Sequence, residues 1–258
     1  MITVPGSDQT KVAPIEPAPL AEHFRPYSQR VWRMVEAQHR ISTNRLSASA
    51  VDQLLLEQMV EEVKPQLPEA VHHLDWLLAA PFRYGHSQPS RFRRANERPG
   101  IFYASEAVVT AVAETAYWRL RFFSRSPGMA LPTTTSEHSA FTVAVNAISG
   151  LDLTTPPYSN AAEAWMRPDD YEPCQRFATA ARALDVQLIR YTSVRDPAQG
   201  ANLAIVDPGA FADHTPMIEQ TWHLRYEQRR LTAFAAFPVR ERYNFSFDQF
   251  DLAFMDET

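Results

Sequence analysis

The sequence predicts an α+β fold, helical towards its N-terminus and mixed with strands beyond residue 81. Three observations carry that reading. Apolar residues recur at helical spacing between 51 and 78, and again between 106 and 123. Short apolar runs rich in β-branched and aromatic residues follow between 101 and 237, separated by turn-forming residues. The 258 residues, 45% apolar and 21% charged, suffice for one large core and have the composition of an ordinary globular protein.

Residues 1–29 hold Pro5, Pro14, Pro17, Pro19 and Pro26 with almost no apolar periodicity, which predicts a loose tail. Residues 30–80 read as a helical extension of two or three helices packed on the core. Ser49 and Asp52 suggest a cap for a helix whose stripe is Val51, Leu54, Leu55, Met59 and Val63. Pro65 stops it, and Pro68 suits the first turn of a second helix bearing Val71, Leu74, Leu77 and Leu78. Residues 81–258 form the mixed domain. Ile101–Tyr103 reads as a strand, and 106–123 as a helix with Val109, Val112, Ala113, Ala116, Tyr117, Leu120 and Phe123 on one stripe. Strands are predicted at 140–145, 186–194 and 202–206, a helix at 172–184, and a strand or hairpin over 221–237.

Composition narrows the function classes. No apolar run reaches the roughly 18 residues of a membrane span, and the first residues lack a secretory pattern, so a soluble cytoplasmic protein is expected. The single cysteine, Cys174, excludes an intramolecular disulfide and a cysteine-rich metal site, and suits a reducing compartment. A net charge of −5 argues against non-specific nucleic-acid binding. Of 25 basic residues only Lys11 and Lys64 are lysine, leaving 23 arginines, the residue that grips phosphate or carboxylate with a fixed fork.

Common catalytic motifs are missing. With 7 glycines there is no Walker loop, no Gly-x-Gly-x-x-Gly and no Gly-x-Ser-x-Gly. The histidines, among them His39, His72, His73, His86, His138, His214 and His223, lack metal-ligand spacing, and no metal site is expected. Cys174, with no cationic neighbours in sequence, reads as a small buried hydrophobe. Arg91-Phe92-Arg93-Arg94 has two readings: a solvated basic loop, or a clamp for phosphate or pyrophosphate.

Three separated segments carry a resemblance. The first runs Ser90-Arg91-Phe92-Arg93, then Pro99-Gly100-Ile101-Phe102-Tyr103-Ala104-Ser105-Glu106, and the second is Thr110-Ala111-Val112-Ala113-Glu114. The third is Tyr191-Thr192-Ser193-Val194-Arg195 with Gly200-Ala201-Asn202-Leu203-Ala204. In this order they resemble the core of the RES-domain family over roughly residues 80–240. Trp32-Arg33-Met34-Val35-Glu36 and Pro81-Phe82-Arg83-Tyr84 resemble a longer subfamily with a helical N-terminal extension. Many members carry Gly-Gly where this chain has Pro89-Ser90, so the family arginine is either Arg91, by its Ser-Arg-Phe context, or Arg93, by its shorter spacing to Tyr103. The resemblance implies an ADP-ribosyltransferase-like mixed sheet core. It implies a toxin enzyme that cleaves the nicotinamide–ribose bond of NAD+, with no resident cofactor. It implies inorganic phosphate as the acceptor, with protein ADP-ribosylation by the same site, or a catalytically dead module that binds NAD+ or the antitoxin, as the alternatives. A cognate antitoxin with a helix-turn-helix-like domain and a homo-oligomeric toxin–antitoxin complex are implied as partners.

The residues suit that chemistry. Glycosidic cleavage of NAD+ passes through an oxocarbenium-like state, by analogy with glycoside hydrolysis. Arg91, with Arg93 and Arg195, would hold phosphate, Glu114 would steady the developing positive charge, Ser193 would anchor ribose or acceptor, and Tyr103 would line the pocket wall. Periodicity does not single out Glu114, which falls off the apolar stripe of its helix and on that ground reads equally as a solvated glutamate. By pattern alone Ser193 is a turn former and Tyr103 a core residue.

Overall fold

The computed structural model describes residues 20–37, 49–126, 129–227, 229–236 and 240–253. Its strands are β1 (Arg25–Glu36), β2 (Phe102–Ser105), β3 (Ser136–Asp152), β4 (Leu188–Thr192), β5 (Ala201–Ile205), β6 (Met217–Glu227), β7 (Arg230–Ala235) and β8 (Arg242–Ser246). Its helices are α1 (Ala50–Val63), α2 (Trp76–Arg83), α3 (Val108–Ser124), α4 (Ala162–Trp165) and α5 (Glu172–Arg182).

The eight strands form one mixed sheet in the order β1-β2-β5-β4-β3-β6-β7-β8, with a further pairing of β1 to β3. That extra pairing closes β1, β2, β5, β4 and β3 into a ring. β3, 17 residues long, is the shared member. Along one edge it runs antiparallel to β1 from Glu36↔His138 to Arg25↔Gly150. Along the other, its first half pairs antiparallel with β6 and its last residues, from Gly150↔Leu188 to Asp152↔Arg190, parallel with β4. The β6–β7 pair is the hairpin expected from the alternation over 221–237.

Three cores follow from this layout. Val31, Leu78, Phe82, Phe102, Phe141, Val143 and Leu203 fill the first. The apolar stripe of α3 (Val112, Ala113, Ala116, Tyr117, Leu120 and Phe123) packs on Met34, Trp222, Leu224 and Leu231 in the second. α5 buries Cys174, Phe177 and Ala181 against Phe92, Leu151 and Ile189 in the third. Each large side chain so buried contributes about 1.5–3 kcal/mol.

The N-terminal region departs from the sequence expectation. Residues 30–80 do not form a helical extension, because β1 occupies 25–36 and lies within the sheet. Tyr27, Val31 and Val35 face the first core while Trp32 and Met34 face the second, a period-2 pattern with both faces apolar. Val31, Met34 and Val35 also satisfy helical spacing, so a strand covered on both faces mimics a helix in sequence. Of the expected loose tail, residues 1–19 lie outside the described residues, while Leu20 is buried and the strand begins at Arg25. The helix after Ser49 exists, and Ser49 Oγ accepts from the Val51 and Asp52 N–H groups at 3.2 and 3.5 Å. Its Val51, Leu55, Met59 and Val63, however, are exposed rather than buried. Beyond Pro68 only a 3-10 turn forms at Glu69–Val71. The next helix, α2, starts at Trp76 under an Asp75 cap and runs past Pro81.

Elsewhere the predicted elements appear with shifted ends, and β8 and α4 were not anticipated. No described helix is long and apolar enough to cross a membrane.

Candidate active site

α3 follows β2 directly and packs its apolar stripe on the sheet, so the residues off that stripe are left to face the strand ends around Asn202 and Ser193. Glu114 is one of them. Its Oε1 accepts from the Ser193 hydroxyl at 2.7 Å and from the Asn202 amide at 2.6 Å. Asn202 in turn accepts from the Ser105 hydroxyl at 2.6 Å. β2, α3, β5 and the turn after β4 thus meet on one carboxylate.

The turn is itself braced. Ser193 Oγ accepts from the N–H groups of Arg195 and Asp196 at 3.2 and 3.1 Å. Asp196 accepts from the Thr110 hydroxyl at 2.7 Å, tying the turn to the first turn of α3. Gly200 permits this closeness, since a Cβ there would lie 2.2 Å from Thr110 Oγ1. Gly100 plays a similar part before β2, where a Cβ would meet the Pro81 carbonyl at 1.9 Å.

A cavity of about 500 Å³ opens over Glu114 and Asn202. Arg33, Arg91, Tyr103, Tyr117, Trp118, His138 and Arg195 are among its walls. Arg91 is buried, donates to the Trp165 and Arg167 carbonyls at 2.7 and 3.0 Å, and lies over the Tyr171 ring. Arg195 donates to the Tyr117 hydroxyl and the Pro168 carbonyl, its guanidinium carbon 3.6 Å from the Tyr117 ring centroid. Arg33 donates to the Tyr103 carbonyl and lies over the Phe102 ring, and burial draws its guanidinium down to about 10. Among the described residues none of the three pairs with a carboxylate. Three cations held by carbonyls, a hydroxyl and aromatic rings leave the cavity short of negative charge.

The site residues expected from sequence are therefore placed unequally. Arg91, Tyr103, Glu114 and Arg195 all line this cavity. Tyr103 is a strut as well as a wall: its hydroxyl accepts from the Phe92 N–H at 3.1 Å and shares a hydrogen bond with Ser90 at 2.8 Å, holding the 90–93 turn. Ser193 is fully buried and lies behind Glu114, lining a smaller cavity of about 340 Å³ rather than the larger one. Arg93 is not brought to the cavity. Its guanidinium donates to the carbonyls of His86, Arg94 and Gln88 at 2.6–2.9 Å and organises its own loop. Cys174 is buried beneath Arg91, its thiol pushed up by burial, as a small hydrophobe is.

Reasoning from sequence missed Arg33, Asn202, Trp118 and His138 as cavity residues. Arg33 and Asn202 stood inside quoted segments, so the signal was present, but without β1 in the sheet Arg33 had no route to Glu114. His138 is buried with its ring 3.5 Å from Arg119, which bridges to Glu36 at 2.6 Å. Burial, then the Arg119 charge, lowers the His138 pKa to about 4.

No curated protein matches the chain. Among solved structures, the crystal structure of the M. tuberculosis MbcT–MbcA toxin–antitoxin complex is similar over 78% of this chain and 87% of that chain, at 16% identity and a TM-score of 0.44. The RES domain matches residues 67–227, a span that holds Arg91, Tyr103, Glu114, Ser193, Arg195 and Asn202 together, and the chain belongs to the RES domain family.

Proposed function

We infer that this cavity binds NAD+ and cleaves its nicotinamide–ribose bond, with inorganic phosphate as acceptor. The observation that supports it best is the pairing of one anchored carboxylate, Glu114, with three cavity arginines that lack carboxylate partners among the described residues. A ligand matching that pattern has a pyrophosphate for the arginines and a centre of developing positive charge for the carboxylate.

In the reaction a phosphate oxygen attacks the anomeric carbon as the C–N bond breaks. The bonding pair leaves with nicotinamide and neutralises its ring nitrogen, so no general acid is needed at the leaving group. ADP-ribose-1″-phosphate is the other product. Glu114 Oε1 is taken by Ser193 and Asn202, and Oε2 is left to face the oxocarbenium and the ribose hydroxyls. Ser193 acts as a positioning residue through Glu114 rather than as an anchor for substrate. Arg33, Arg91 and Arg195 share the pyrophosphate.

This reading includes the ADP-ribosyltransferase-like character of the ring of strands. It also includes a toxin role in which a cognate antitoxin with a helix-turn-helix-like domain silences the enzyme, within an oligomeric complex. The MbcT–MbcA pair is a toxin with its antitoxin.

The test is incubation of the purified protein with NAD+, with and without inorganic phosphate, followed by chromatography. The expected products are nicotinamide and, only with phosphate, ADP-ribose-1″-phosphate. Free ADP-ribose at an unchanged rate would move the acceptor to water, and label retained on protein would move it to a side chain. Absence of nicotinamide release in both arms overturns the reaction.

A further inference from the structure

We propose that the exposed face of α3 beyond Glu114 is a stacking platform for the adenine end of the substrate, built on Trp118 and completed by Phe122. The proposal rests on the NAD+ reading above and adds the recognition of the second base.

Glu114, Trp118 and Phe122 follow one another at i, i+4 and i+8, one row along the helix. Trp118 and Phe122 therefore stand roughly 6 and 12 Å along the axis from the carboxylate. Both line the same cavity as Glu114. They are 47% and 52% exposed, while the neighbouring Tyr117, Leu120 and Phe123 are buried. Core packing does not account for two large aromatic rings left open at the mouth of the cavity that holds Glu114.

β1 independently shows that the cavity extends in this direction. Trp32, at one end of the lining, pairs with Ser105, which belongs to the Asn202–Glu114 network. Glu36, at the other end, is bridged to Arg119, the residue after Trp118. Arg33, next to Trp32, lines the same cavity. One cavity thus holds a carboxylate, a cation and open aromatic rings, the three kinds of group that the nicotinamide ribose, pyrophosphate and adenine of a dinucleotide call for. The Arg121 guanidinium lies over one face of the Trp118 ring, 5.0 Å from its centroid. A half-exposed indole with a cation on one face suits a purine on the other, because base stacking needs a flat face and no hydrogen-bond code.

Two measurements test the platform. The first is calorimetric titration of adenosine 5′-monophosphate, which lacks the nicotinamide half, into the full chain and its variants. The unmodified chain is expected to bind it, with affinity about tenfold weaker in Trp118→Ala and largely recovered in Trp118→Phe. The second is steady-state NAD+ cleavage, in which Trp118→Ala is expected to raise KM about tenfold with kcat within about twofold. Trp76→Ala, an exposed tryptophan on α2, serves as control for surface aromatic loss. Equal affinity for adenosine 5′-monophosphate in the unmodified and Trp118→Ala chains, or no binding by either, overturns the platform. If that binding depends on Trp118 but NAD+ is not cleaved, the reaction falls and the platform stands. If NAD+ is cleaved with an unchanged KM in Trp118→Ala, the platform falls and the reaction stands.

Discussion

The Ser193 hydroxyl donates to Glu114 Oε1 at 2.7 Å, joining residues 79 positions apart in the chain. Asn202 donates to the same oxygen, so the carboxylate is held by two side chains before any ligand arrives. Glutamine at 114 keeps an Oε1 that accepts both hydrogen bonds and loses only the charge. Glu114→Gln is therefore expected to melt like the parent chain and to release nicotinamide about a hundredfold more slowly. Parental turnover in the folded variant would remove Glu114 from the mechanism.

Ser193→Ala acts differently, because Ser193 Oγ is also the acceptor for two buried N–H groups. The variant is expected to lose about 1–3 kcal/mol of stability as well as activity. Urea unfolding monitored by circular dichroism measures the first effect. An unchanged midpoint would mean that water or a rearranged turn replaces the hydroxyl.

Arg91 and Arg93 are separated by one residue yet do unlike work. Arg91 lines the cavity, and Arg93 spends its donors on three carbonyls of its loop. Titration with ADP-ribose is expected to show Arg91→Ala weakened by about tenfold or more, since hydrogen bonds to charged groups are worth about 1.5–3 kcal/mol. Arg93→Ala should bind normally once folded but melt at a lower temperature. The reverse pattern would restore Arg93 as the ligand-binding arginine.

His138 gives the fold a defined acid sensitivity. Its pKa is lowered to about 4 in the folded chain, against roughly 6.5 for a free imidazole. Between those values the unfolded chain binds the extra proton, so stability present at neutral pH is lost as pH falls from about 6.5 towards 4. The loss amounts to about 2 kcal/mol by pH 5 from this group. Thermal melts at pH 7 and 5 check it, with His138→Gln expected to show a smaller drop. An equal drop in both chains would assign the sensitivity to other groups.

The sheet places β1 where a truncation will reveal it. A chain beginning at Pro81 lacks β1, α1 and the first five residues of α2, and with them Val31, Met34 and Leu78 from two cores. It is expected to aggregate or to show no cooperative melt by near-UV circular dichroism. A soluble truncation that melts cooperatively would show that the ring of strands closes without β1.

The helical stripe of α3 was legible because six of its apolar residues repeat at one period and are buried on one side. β1 was misread for the opposite reason: with Val31 and Val35 on one face and Trp32 and Met34 on the other, neither period stands out. β3 was seen only at 140–145, since His138, Asn146 and Gly150 interrupt its apolar run while its backbone continues through pairings with β1. Arg91, Tyr103, Glu114 and Ser193 were singled out as candidates through the order of their motifs. Periodicity had no means of showing that Ser193 would sit behind Glu114, or that Arg93 would turn away, because both outcomes depend on contacts between distant segments.

The ring of strands also sets a timetable for the newborn chain. β1 is made first, yet its partners along β3 emerge roughly 100 residues later, and Asn202, which completes the grip on Glu114, later still. At ordinary translation rates the ribosome has been at work on the order of ten seconds beyond Glu36 before that last hydrogen bond can form. Until then Glu114 hangs on an unclosed sheet, without the cavity that later gathers around it.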